Sequence, residues 1–134
     1  MKKIVLFVSL FLLVGCNTTS IQKEHEEYLT SFGWHIQKFT KKETITIDYL
    51  PEALESIKIA GLDLGPYKDQ EATVTSYFLK EKQKSGDKMT FHIYEIDGKI
   101  IGGYGTLENW SPGLFALDDR DVLIERNVMK KEGE

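Results

Sequence analysis

Residues 88–107 read KMTFHIYEIDGKIIGGYGTL, and this stretch decides the fold. Met89, Phe91 and Ile93 recur at every second position, the period of a strand with one face turned to a core. Asp97-Gly98 is a hairpin signal, because the two-residue turn that matches strand twist needs positive φ at both of its central positions. Residues 99–107 therefore return beside residues 88–96. Upstream, residues 72–82 are rich in Thr, Val, Tyr and Phe, and the turn Lys84-Ser85-Gly86-Asp87 separates them from the hairpin. Consecutive strands joined by short turns predict an antiparallel sheet.

N-terminal to the strands, Ile21, Tyr28, Leu29 and Phe32 form an apolar stripe with Lys23, Glu24, Glu26 and Glu27 between them, which predicts an amphipathic helix over residues 21–32. Ser20 is its expected N-cap and Gly33 its stop. Residues 34–48 predict an extended region with Ile45 and Ile47 on one side and a charged kink at Lys41-Lys42. Pro51 opens a second helix whose stripe is Leu50, Ala53, Leu54 and Ile57, and Gly61 ends it. Leu62, Leu64 and Tyr67 then belong to a compact turn. The resulting order is α-β-α-β-β-β: an α+β fold in which two helices cover one face of a small antiparallel sheet. The domain is expected over residues 21–117. Residues 109–113 read as a loop, and residues 118–134 as a C-terminal extension, partly helical with Asp118 or Asp119 as cap, or disordered.

The chain has 134 residues and a formal charge of −4, but its first 15 carry Lys2, Lys3 and no acid. Without them, 119 residues remain at a formal charge of −6. That length suits one domain, large enough to bury a core without disulfides. The acidic balance argues against nucleic acid as a partner, since phosphate contacts require a basic surface. Residues 4–14 (IVLFVSLFLLV) follow a positive start and precede Gly15 and Cys16, the pattern of a signal peptide. A membrane-spanning helix needs about 20 apolar residues, more than this run supplies.

Leu13-Val14-Gly15-Cys16 resembles the lipobox of bacterial lipoprotein precursors, and Cys16 is the only cysteine. The resemblance implies diacylglycerol attached to the Cys16 sulfur, cleavage between Gly15 and Cys16, and acylation such as palmitate on the new N-terminus. Two or more acyl chains hold a protein firmly at a membrane. Residues 16–20 then become the lipidated Cys and its tether, on the outer face of the cytoplasmic membrane. The stretches YLTSFGW at residues 28–34, GLDLGPY at 61–67 and YEIDGKIIGG at 94–103 are similar to an uncharacterised family of small Firmicute lipoproteins and secreted proteins, domain-of-unknown-function family 4830. That family's last strand tends to continue Gly-Gly-Asp, where this chain has Gly102-Gly103-Tyr104. The similarity implies a Gram-positive cell-surface protein and supplies no catalytic residues.

No pattern of nucleophile, phosphate loop or metal helix emerges from the residues. No Ser occupies a Gly-x-Ser-x-Gly elbow. His25 lies among Glu24, Glu26 and Glu27 without a second His at i+4, so a solvated helix face is expected instead of a metal site. Asp118-Asp119-Arg120-Asp121 lacks the spacing and central Gly of a calcium loop. Gly102, Gly103 and Gly105 end a strand and mark a bulge or close approach, with Trp110 expected to pack over them. His92, Tyr94 and Tyr77 are the candidate ligand patch, a polar-aromatic cluster on the second face of the sheet. No catalytic residue, metal site or cofactor is assigned.

The expected function is binding or scaffolding at the cell envelope by a lipid-anchored extracytoplasmic domain. The membrane would be reached through the anchor, and an envelope protein is the expected partner. The competing readings are a small envelope hydrolase with an acid–base site on the exposed sheet face, and an inhibitor or accessory subunit of an envelope complex. A cleft with converging titratable groups would favour the enzyme. A large exposed apolar patch would favour a binding domain.

Overall fold

The computed structural model describes residues 20–111 and 113–131. The signal-peptide, cleavage and lipidation readings at Gly15 and Cys16 lie outside the described residues, as does the tether up to Thr19. Eight elements follow in chain order: α1 (Lys23–Thr30), β1 (Ile36–Thr46), α2 (Pro51–Ile59), β2 (Glu71–Lys82), β3 (Lys88–Ile96), β4 (Lys99–Leu107), β5 (Leu114–Phe115) and α3 (Arg120–Glu125). Short 3₁₀ turns at Gly65–Tyr67 and Leu117–Asp119 precede β2 and α3. Among the described residues the fold is α+β, with three helices and one five-stranded antiparallel sheet in the order β1-β2-β3-β4-β5. The expected six-element order omits β5, while the helix expected in the C-terminal extension is α3, whose N-cap is Asp119 without a side-chain capping bond.

Local chemistry explains the hairpin. Ile96 pairs with Lys99, and Asp97 and Gly98 have φ of 52° and 77°, the two positive values that a tight turn of this hand demands. A residue is then inserted in β4, because Tyr94 pairs with Gly102 while Glu95 pairs with Ile100. This bulge rotates the end of β4.

The sheet is buried on both faces. Leu29 of α1 and Leu123 of α3 pack with Trp34, Tyr77, Phe91 and Ile93 in one cluster. Ile57 of α2 packs with Ile47, Leu62, Leu64, Val74 and Tyr94 in another. Ile93 and Tyr94 are neighbours on β3 and must point to opposite sides, so the sheet itself separates the clusters. The expectation that two helices share one face is therefore corrected: α1 and α2 are divided between the two clusters. The cause is visible in β2, where Val74, Thr75, Ser76 and Tyr77 are all buried. A strand enclosed on both sides needs cover on both. Met129 is also buried in the first cluster and bridges to Gln83, so the segment after Leu117 completes the core.

The α1 stripe is rotated from its expected phase. His25 and Leu29, four residues apart, face inward, while Ile21 and Phe32 are exposed. The N-cap is Gln22 and not Ser20, and it makes no side-chain capping bond.

Candidate functional site: an apolar groove at the open sheet edge

β5 is two residues long and closes the sheet only partly. The Leu107 N–H donates to the Gly113 carbonyl at 2.8 Å, and Leu114 stands opposite Thr106 in the register. Ladder bonds alternate in an antiparallel pair, so the N–H and C=O of Leu114 point away from β4. Neither has a partner among the described residues. Phe115 fixes this short strand: its ring lies over Gly105, in the space that any side chain there would fill, and contacts the rings of Trp34 and Phe91.

Along that edge runs a groove of about 650 Å³, within the range of small-ligand clefts. Ser56 and Ile59 of α2 and its C-cap Ala60 form one wall, and Val122, Leu123 and Arg126 form the other. Leu107 and Phe115 contribute to the lining between them, with Trp110 at the loop that enters β5. α2 and α3 belong to opposite faces of the sheet, so the groove straddles its edge. Ile59 is 77%, Trp110 53% and Val122 40% exposed, and all three border the groove. These three side chains bring exposed apolar surface to one groove. Asp119 is engaged within the fold, accepting the Ala116 N–H at 2.9 Å. Arg126 makes no ion pair among the described residues.

The sequence reading placed its candidate patch elsewhere, at Tyr77, His92 and Tyr94. His92 and Tyr94 do share a face. The His92 ring lies between Ser76 Oγ, 2.7 Å from Nδ1, and Thr106 Oγ1, 3.1 Å from Nε2, with the Tyr104 ring at 5.2 Å. Tyr104 also contacts Tyr94, whose hydroxyl is 2.9 Å from that of Tyr49. Burial pushes His92 down to about 4, the Lys41 cation adds to this, and the Glu43 carboxylate opposes it. Burial, with the neighbouring Tyr104 and Tyr49 hydroxyls, pushes Tyr94 far above the usual phenol range. At neutral pH His92, Tyr94 and Tyr104 are uncharged.

Tyr77 lies on the other face. Its hydroxyl is 2.7 Å from His25 Nδ1 and accepts the Gln22 N–H at 3.3 Å. His25 Nε2 is 3.1 Å from Glu95 Oε1, close enough for ion pairing but without hydrogen-bond alignment. The expectation that His25 sits on a solvated face is overturned, because it is 0% exposed. It pins α1 to β2 and β3. Burial, chiefly, raises Tyr77 above the usual phenol range, and the Glu95 charge adds to this against the Gln22 hydrogen bond. The glycines of β4 are covered by Phe115 at Gly105 and by Leu62 at Gly102, while Trp110 lies against Gly113. Trp110 therefore does not pack over β4 as expected, and it is left at the groove.

Among the described residues no group of His, Cys, Asp and Glu is placed to hold a metal ion, and no helix is long and apolar enough to cross a membrane. The groove was not legible as a site because its walls come from segments separated by more than 50 residues. The one sequence signal was Trp110 beside Gly113 in a loop. No family model matches the chain, and no curated protein or solved structure matches it.

Proposed function

We propose that this chain is a lipoprotein whose domain binds an apolar partner at the outer face of the cytoplasmic membrane, without catalysis. The observation that carries the binding function is the groove, where Ile59, Trp110 and Val122 stay exposed around a buried apolar lining. The Leu13–Cys16 pattern, which resembles a bacterial lipobox, supports the location, with diacylglycerol on Cys16 as the anchor. An envelope protein fits this reading as the partner. The hydrolase reading has less support, because both ring nitrogens of His92 already face hydroxyl groups within the sheet.

A photo-crosslinking residue placed at Ile59 or Trp110 in living cells tests both parts. The groove positions are expected to yield a discrete adduct that the same residue at exposed Glu24 does not give. Cys16→Ala is expected to release the protein from the membrane and abolish the adduct. Identical adducts at Glu24 and at the groove would refute binding there. Firm membrane retention of Cys16→Ala, with the wild-type mass, would refute the anchor.

A further inference from the structure

Resting on the groove as the binding site, we infer that its occupant is an extended peptide segment that adds to β5 as a sixth strand. The segment is apolar on both faces and carries a carboxylate for Arg126. The backbone supplies the first argument. Leu114 turns one N–H and one C=O outward into the edge that the groove follows, and both lack partners among the described residues. Buried backbone polar groups are almost always paired, so an occupant of this edge must bring a donor and an acceptor of its own. A strand does so with the right spacing, which is the basis of peptide recognition by strand addition. An acyl chain brings neither.

The walls supply the second argument. α2 and α3 flank the edge from opposite faces of the sheet, and both present apolar side chains, Ile59 and Ala60 on one side and Val122 and Leu123 on the other. A strand lying between them is covered above and below, as central strands are, and therefore needs apolar residues at successive positions. Charge supplies the third. Of the two charged residues that line the groove, Asp119 is already bonded to the Ala116 N–H, while the Arg126 guanidinium has no ion-pair partner among the described residues. An Arg fork suits a carboxylate.

The test uses the full chain in phosphatidylcholine vesicles and reads Trp110 fluorescence, with Trp110→Phe identifying the signal and buried Trp34 as the constant background. The probes are a degenerate pool of hexapeptides of Val, Ile, Leu, Phe and Thr with free C-termini, the same pool fully N-methylated, the pool with amidated C-termini, and dodecanoate. The free pool is expected to saturate the signal. N-methylation, which removes the strand donors, is expected to weaken binding about tenfold or more. Amidation is expected to weaken it about fivefold in the wild type and not at all in Arg126→Gln. Equal binding of the methylated and parent pools would overturn the strand geometry while leaving the groove as the site. Saturation by dodecanoate but by no peptide would overturn the peptide in favour of a lipid. Silence of Trp110 toward every probe would remove the groove reading as well.

Discussion

Replacing His92 by Gln should flatten the acid side of the stability profile. Between β2 and β4 the His92 ring is wedged among Ser76, Thr106 and Tyr104, and burial with the nearby Lys41 holds its protonation down to about 4. In the unfolded chain the same ring takes up a proton near the ordinary value of about 6.5. Above that value both states are neutral and the group contributes no pH dependence. As pH falls through about 6.5 the unfolded state binds the proton first, so stability declines with acidification, and the loss levels off once the folded protein also protonates near about 4. At about pH 5 the loss from this one ring amounts to roughly 2 kcal/mol, approaching about 3 kcal/mol below pH 4. Urea unfolding of wild type and His92→Gln at about pH 7.5 and about pH 5 isolates it, because every other group is common to the two proteins and cancels in the double difference. The variant should lose about 2 kcal/mol less than wild type over that interval, whatever its stability at the higher pH. Parallel pH dependence in the two proteins would refute the buried, neutral ring.

Three further outcomes follow from particular contacts. Gly105→Ala forces its methyl into the Phe115 ring and should destabilise the fold by about 1–3 kcal/mol in thermal unfolding, with partial rescue by Phe115→Leu. Tyr77→Phe leaves His25 Nδ1 without its partner in a wholly buried position and should cost about 1–3 kcal/mol, measured by chemical denaturation. Trp110→Ala should change stability by less than about 1 kcal/mol, since its ring is half exposed, while abolishing the crosslinks expected from the groove at Ile59.

The hairpin was legible because its determinants are adjacent: an Asp-Gly pair that accepts positive φ, flanked by alternating apolar residues. The kink expected at Lys41-Lys42 is not there: the β1 register shifts fall earlier, between Ile36 and Lys38 and between Phe39 and Lys41, and pairing is regular from Lys41 to Thr46. His25 was not legible. Its partners Tyr77 and Glu95 lie far along the chain, and a histidine counts as polar when a helical stripe is phased. Once His25 is admitted to the buried side, His25 and Leu29 define the inward face and Ile21 falls away from it. β2 misled in the same manner, because Thr75 and Ser76 are polar residue types that this sheet buries. β5 is too short to display any period, and the groove beside it exists only after α2 and α3 have been brought to the same edge.

The two edges of the sheet explain why a partner strand belongs at β5. β1 is long, but it is broken by two register shifts and carries exposed Lys38, Lys41 and Lys42, devices that discourage a neighbouring chain from pairing. β5 has no lysine and no bulge, and it is walled by apolar groups from both helices. Its shortness limits the backbone bonds on offer, so discrimination must come from side chains that enter the walls. The point at which the chain enters the fold favours the same edge. Gln22 lies against Tyr77 on β2, three strand spacings from β5, or about 14 Å across the sheet. Under the lipid anchor proposed above, a tether ending near Gln22 would meet the domain beside β2 and not at the β5 groove.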